Sequence, residues 1–321
     1  MGKIDIEFKS HCRQCSIGYV EQRICGDIPQ SRISRVVRDS AYFIYAFFCM
    51  SSFLYRSQNE HNTNTINNML QSLSNKKTMQ RYFIYFAYDG TNYHGWQIQP
   101  TDVSVQETMQ KGLSMILREE IEIVGAGRTD TGVHAEKMAA HFDTEKDFDA
   151  EKLVAKMNSL MPKDIAIFDI VPVAADMHAR FSATFRRYRY YIHTRKDPFA
   201  RQYSCELRYP LDFALMNEAA KILCTYEDFG AFCKTHTDVK TTLCDVMHAQ
   251  WVQIDDHRWY FEIQANRFLR NMVRAVVGTL IDVGRHRITL DEFRKVIECG
   301  NRSKAGESMP ANALFLVEVG Y

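Results

Sequence analysis

Between residues 79 and 321 the chain alternates two hydrophobic rhythms. Stretches rich in aromatic and β-branched residues predict strands at 81–88, 121–125, 137–142, 165–171, 185–193, 247–254, 258–265 and 314–319. The first of them, RYFIYFAY, is followed at once by the turn residues Asp89 and Gly90. Apolar positions three and four apart predict a helix over 104–117, with Val105, Met109, Leu113, Ile116 and Leu117 on one face. The same spacing predicts a second over 149–160, with Leu153, Met157 and Leu160 inward, and others at 212–224, 268–283 and 290–299. Groups of strand, helix and strand occur twice, before and after about residue 178. The expected architecture is therefore α+β: two similar halves, 79–177 and 178–321, with antiparallel or mixed sheets flanked by helices and a cleft between them.

Residues 1–78 do not follow either rhythm. They mix arginines, isolated cysteines and a Ser/Asn/Thr/Gln-rich run from Ser57 to Ser74, and their Tyr42–Tyr55 block predicts one short helix without a partner. The expectation is a poorly ordered N-terminal extension, for which a start codon assigned upstream of Met79 is one explanation.

Composition narrows the function classes. With 46% hydrophobic and 25% charged residues in 321, the chain can bury a substantial core. The net charge of +1 hides an uneven split. Residues 1–78 carry 10 Lys and Arg against 6 Asp and Glu, which leaves 30 against 33 for the rest. Any nucleic-acid footprint must therefore be local. One local group is Arg186, Arg187, Arg189, Arg195, Lys196 and Arg201, among which Asp197 is the only acid; Arg267, Arg270 and Arg274 form another. The nine cysteines are scattered, and Cys12 and Cys15 form a C-x-x-C without a second pair at zinc spacing, so they read as free thiols in a reducing cytoplasm. No apolar stretch reaches the ~18 residues of a membrane span.

The segment with the most chemical content is GAGRTDTGVHA, Gly125–Ala135. Its glycines let backbone and ligand approach closely around Arg128, Thr129 and Asp130, a way to display one carboxylate at the mouth of a cleft. The plainer alternative is a β-turn whose Asp caps a short helix. A phosphate loop is set aside because the glycine order is wrong and no GK[ST] follows. A metal site from Asp130, His134 and His141 lacks H-E-x-x-H spacing or a supporting cluster. In FRRYRYYIH, strand alternation groups Arg186, Tyr188 and Tyr190 on one face and Arg187, Arg189 and Tyr191 on the other. Such a mixture suits a stacked base and phosphates.

Four motifs in order, YDGTNYHGWQ (88–97), GAGRTDTGVHA, RFSATFRRYRYYIH (180–193) and NRFLRNMVRAVVG (266–278), resemble the tRNA pseudouridine synthase A family. The resemblance runs from about Arg81 to the C-terminus and implies the pseudouridine synthase fold. It also implies isomerisation of uridine to pseudouridine at positions 38, 39 and 40 of the tRNA anticodon stem-loop. No cofactor or metal is implied, because substrate and product are isomers. By the same resemblance Asp130 is the catalytic residue, as nucleophile or base. A desolvated carboxylate stays charged when a cation adjoins it, and Arg274, the arginine of M-V-R, is the implied partner. Tyr188 is the implied contact for the target base, with Arg128, Arg186 and Arg270 as substrate-binding cations. If 268–283 is one helix, Arg267, Arg270 and Arg274 make a stripe at i, i+3 and i+7. Asp89 and Gln97 read as organising polar groups and His94 as structural. The family's homodimer, gripping the tRNA from anticodon stem-loop to elbow in the cytoplasm without a membrane, is likewise implied. Two positions depart from the family pattern, Thr131 where alanine is common and Ala313 where glycine is usual. A catalytically silent tRNA-binding protein on the same scaffold is the competing reading.

Overall fold

The aromatic and β-branched runs form strands because each can bury alternate side chains against helices that bring a matching apolar stripe. In the computed structural model, which describes residues 79–234 and 239–321, these strands join in one nine-stranded sheet. The expectations for Tyr42–Tyr55, Cys12 and Cys15 concern residues outside those described. Strands β1 (Gln80–Tyr88), β3 (His134–Thr144) and β4 (Ile165–Val173) belong to the first half, with the short β2 (Val124–Gly125) on β3. Strands β5 (Phe185–His193), β7 (Val246–Gln253) and β8 (Arg258–Ala265) belong to the second, with the short β6 (Cys205–Glu206) on β5.

The last strand, β9 (Leu314–Gly320), closes the sheet in the order β4-β1-β3-β9-β5-β8-β7. It runs parallel to β3 through only His134↔Phe315 and Ala135↔Leu316, and antiparallel to β5 from Phe185↔Gly320 to Tyr190↔Leu314. The β5–β9 register shifts between Arg187 and Tyr188. Such a bulge re-aims the side chains that follow it. Thus β9 joins the strands that precede residue 177 and those that follow residue 178 in one continuous sheet.

Helices α1 (Val105–Leu117) and α2 (Ala150–Leu160) serve the first half, and α3 (Phe213–Leu223), α4 (Met272–Gly284) and α5 (Leu290–Glu298) the second. Their boundaries follow local caps: Ser104, Asp149 and Asp212 accept backbone N–H groups of the first turns, and Thr289 forms a capping box with Glu292. Val105, Met109, Leu113 and Leu117 are buried as the spacing predicts, whereas Leu160 at the end of α2 is exposed.

The largest departure from the sequence pattern concerns α4. Its helix begins at Met272 instead of residue 268, because Asn271 takes a left-handed conformation with φ 66°. Arg267 and Arg270 therefore precede the helix, and the proposed stripe does not exist. Within α4 every residue except Arg274 and Asp282 is buried. A helix apolar on all sides is locked in the core, so Arg274 starts from a fixed platform.

Candidate active site

The loop between β2 and β3 carries Arg128, Thr129 and Asp130, and the YDGTNYHGW segment fixes its path. Trp96 donates its backbone N–H to Thr129 O at 3.4 Å, Gly132 donates to Tyr93 O at 3.3 Å, and the Tyr88 and Thr129 hydroxyls are 2.9 Å apart. Two glycines make this approach possible. A Cβ on Gly95, whose φ is +90°, would lie 2.3 Å from Thr129 O, and one on Gly125 would meet the Trp96 ring at 2.5 Å. The glycines and aromatics of YDGTNYHGWQ are thus the scaffold of the Asp130 loop, a role that the spacing of the motif alone does not reveal. Gln97 and His94 are exposed. Asp89 caps the turn after β1 and accepts the Tyr203 hydroxyl at 2.6 Å.

Asp130 is 25% exposed and faces two guanidiniums from the second half. Arg274 Nη1 lies 3.3 Å from Asp130 Oδ2, while Arg274 Nε donates to Met309 O at 2.6 Å. Arg270 Nε lies 3.8 Å from Asp130 Oδ1, and its side chain is 58% exposed. Arg274 is therefore held from both ends, and Arg270 is free to follow a ligand. Tyr188 is buried and stands edge-on to Phe268, ring centroids 5.0 Å apart. Burial pushes its phenol up to about 12, with Arg186 opposing and Asp130 adding to the rise, so the ring is neutral at physiological pH. Arg128 is exposed.

Arg186 has a different position from the one its charge suggested. Its guanidinium donates to the carbonyl oxygens of Ala126 and Asn266 at 2.9 and 2.7 Å, to Ala183 O at 3.1 Å, and to Arg180 O. The donors that would meet a phosphate are thus spent on backbone. On the other face of β5, Arg187 is engaged by Gln264 and Glu318, and Arg189 by Glu262. The first three cations of the run are thus engaged within the sheet, whereas Arg195, Lys196 and Arg201 are exposed.

The three-residue metal reading fails on distance. His134 and His141 lie seven residues apart on β3, which spans roughly 20 Å in a strand. His134 Nε2 meets Asn312 O at 3.1 Å and its Nδ1 meets Gly90 N at 3.0 Å, whereas His141 Nδ1 accepts from Ala179 N at 3.1 Å. A concavity of about 600 Å³ lies beside Asp89, His134, Tyr191, Tyr203 and Phe315, but neither Asp130 nor Arg274 lines it. The Asp130–Arg274 pair is only partly exposed and lies outside this concavity.

A carboxylate on a glycine-rich loop, met by Arg270 just before α4 and Arg274 on it, coincides with a match in sequence. The profile described as tRNA pseudouridine synthase matches residues 84–182 and 219–321. The chain belongs to the tRNA pseudouridine synthase family. The matched stretches contain Arg128, Asp130, Arg270 and Arg274, while Arg186 and Tyr188 fall between them.

Proteins named tRNA pseudouridine synthase A are similar to residues of this chain over most of their own length. The one from Bacteroides fragilis is 58% identical over 76% of this chain and 97% of its own. Those from Bacteroides thetaiotaomicron and Parabacteroides distasonis are 56% and 55% identical over 76% of this chain and 91% and 96% of theirs. As in this family generally, the sheet and helices form an α+β fold.

Proposed function

We propose that the chain isomerises uridine to pseudouridine within tRNA, at positions 38, 39 and 40 of the anticodon stem-loop, with Asp130 as the catalytic carboxylate. The observation that carries the reading is the Asp130 carboxylate, reachable from solvent yet gripped by Arg274 at 3.3 Å. In the reaction the N1–C1′ bond breaks and a C5–C1′ bond forms; the C5 proton departs and N1 gains one, so atoms balance without a cofactor. One carboxylate can serve as nucleophile or base in this exchange. Arg274 orients it, and electrostatic attraction from the guanidiniums holds a negative group where a neutral base must be met.

Tyr188, fixed edge-on by Phe268, supplies an aromatic surface for the extruded uracil. Arg128 and Arg270, both exposed, supply phosphate contacts. Arg186 supports the site from beneath through its four carbonyl contacts. The proposal includes a cytoplasmic homodimer that spans the tRNA from anticodon stem-loop to elbow. Among the described residues no helix is long and apolar enough to cross a membrane. No observation favours a silent binding protein, since Asp130, Arg274 and Tyr188 are all present.

The test is to incubate the purified chain with unmodified tRNA transcripts and map pseudouridine by chemical probing. Product at positions 38–40 is expected. Product confined to other positions would overturn the site assignment, and no product on any tRNA would overturn the activity.

A further inference from the structure

Arg186 draws together three segments that each present an arginine. Its guanidinium holds the carbonyls of Ala126, Arg180 and Asn266, which lie two residues before Arg128, at Arg180 itself, and one residue before Arg267. Among the described residues no carboxylate pairs with Arg128, Arg180 or Arg267. Burial and the neighbouring Arg128 and Arg267 charges pull the Arg180 pKa down, as expected where cations crowd one another. Like charges held together without a counterion are costly unless a ligand supplies the anion.

Beside this cluster stands Phe181, 76% exposed, on a turn built to hold it still. The His178 ring lies 4.4 Å from the Phe181 ring, and its Nδ1 accepts the N–H groups of Arg180 and Phe181 at 3.1 and 3.3 Å. His178 N donates to Ser182 Oγ at 2.9 Å, and Ser182 N returns to His178 O at 2.9 Å. The turn is anchored to the sheet through Ala179, whose N–H meets His141 and whose carbonyl accepts the Tyr321 hydroxyl at 2.7 Å. The Arg180 guanidinium lies 5.6 Å from the Phe181 ring centroid. Apart from its contacts with His178 and Arg180 the ring faces solvent, and a rigid ring among unpaired cations matches the chemistry of single-stranded RNA.

We propose that Phe181 is a stacking platform for an unpaired base of the RNA strand that carries the target uridine, with Arg128, Arg180 and Arg267 holding the phosphates around it. Arg186 is then a positioning residue that fixes the spacing of the three cations. This inference rests on the reading of the substrate as tRNA but not on the chemistry at Asp130.

The test measures binding of an unmodified tRNA transcript across a salt series, alongside pseudouridine formation, for the full chain and its variants. Phe181→Ala and Phe181→Leu should each weaken binding about tenfold without changing the salt slope, and Phe181→Trp should bind as the unaltered chain does. Arg180→Gln and Arg267→Gln should each reduce the salt slope by about one. Unaltered affinity in Phe181→Ala, or full affinity in Phe181→Leu, would overturn the platform; unchanged slopes would overturn the phosphate assignment. Because binding is read separately, absence of pseudouridine from the unaltered chain would sink the isomerase reading while the platform is still decided.

Discussion

Asp130 and Arg274 are 144 residues apart in sequence and 3.3 Å apart in space. The carboxylate comes from a loop of the first half, the guanidinium from a buried helix of the second, and the parallel β3–β9 pairing next to them joins the halves. The pair therefore exists only when the whole sheet has formed. Arg274 also donates to Met309 O, so its direction does not depend on Asp130.

Replacing Arg274 by Gln should lower single-turnover isomerisation roughly 10–100-fold, the loss expected for a hydrogen bond to a charged group. Affinity for tRNA should change less than about threefold, since one half-buried cation of several is removed. Lys at this position keeps the charge but replaces the planar fork by a single ammonium, and should fall between. A rate for Arg274→Gln equal to that of the unaltered chain would show that the pair does no chemical service.

Tyr188→Leu should depress turnover by roughly 10–100-fold, from the loss of base stacking, with tRNA affinity nearly unchanged. Tyr188→Phe, which keeps the ring and its contact with Phe268, should retain most of the rate. Equal losses of rate and affinity in Tyr188→Leu would assign the ring to general RNA binding.

Stability should decline on the acid side because of His141. Burial, reinforced by Arg81 and His178 and opposed by Asp143, pushes this imidazole down to about 4. The unfolded chain, with its ordinary value near 6.5, then binds more protons between those pH values. Stability from this group is complete above about pH 6.5 and declines as pH falls toward 4. Burial lowers His134 and His178 as well, with the same sign. His141→Asn offers an acceptor to Ala179 N without titrating, so its denaturation midpoint should fall less steeply between pH 6.5 and 4.5. An unaltered slope would count against His141 as the source.

Much of this molecule was legible in the residues. The patterns at 185–193 and 258–265 gave strands with the observed ends, because both are dense in aromatic residues and neither contains a Gly or Pro. The start of α4 was not legible: Phe268–Asn271 fits helical spacing, and only the left-handed Asn271 breaks it. Arg186 illustrates a second limit. Its charge and strand position are those of a phosphate ligand, but the carbonyls that occupy it come from residues 60 and 80 positions away. Likewise the service of Gly95 and Trp96 to the Asp130 loop is a tertiary contact, invisible in local spacing.

The most direct measurement is a single-turnover assay of Asp130→Asn on unmodified tRNA, with binding measured on the same preparation. The side chain keeps its size but loses its negative charge, so tRNA should bind within about threefold of the unaltered affinity and no pseudouridine should form. Pseudouridine produced by Asp130→Asn at a rate comparable to the unaltered chain would contradict the assignment of the chemistry to this carboxylate.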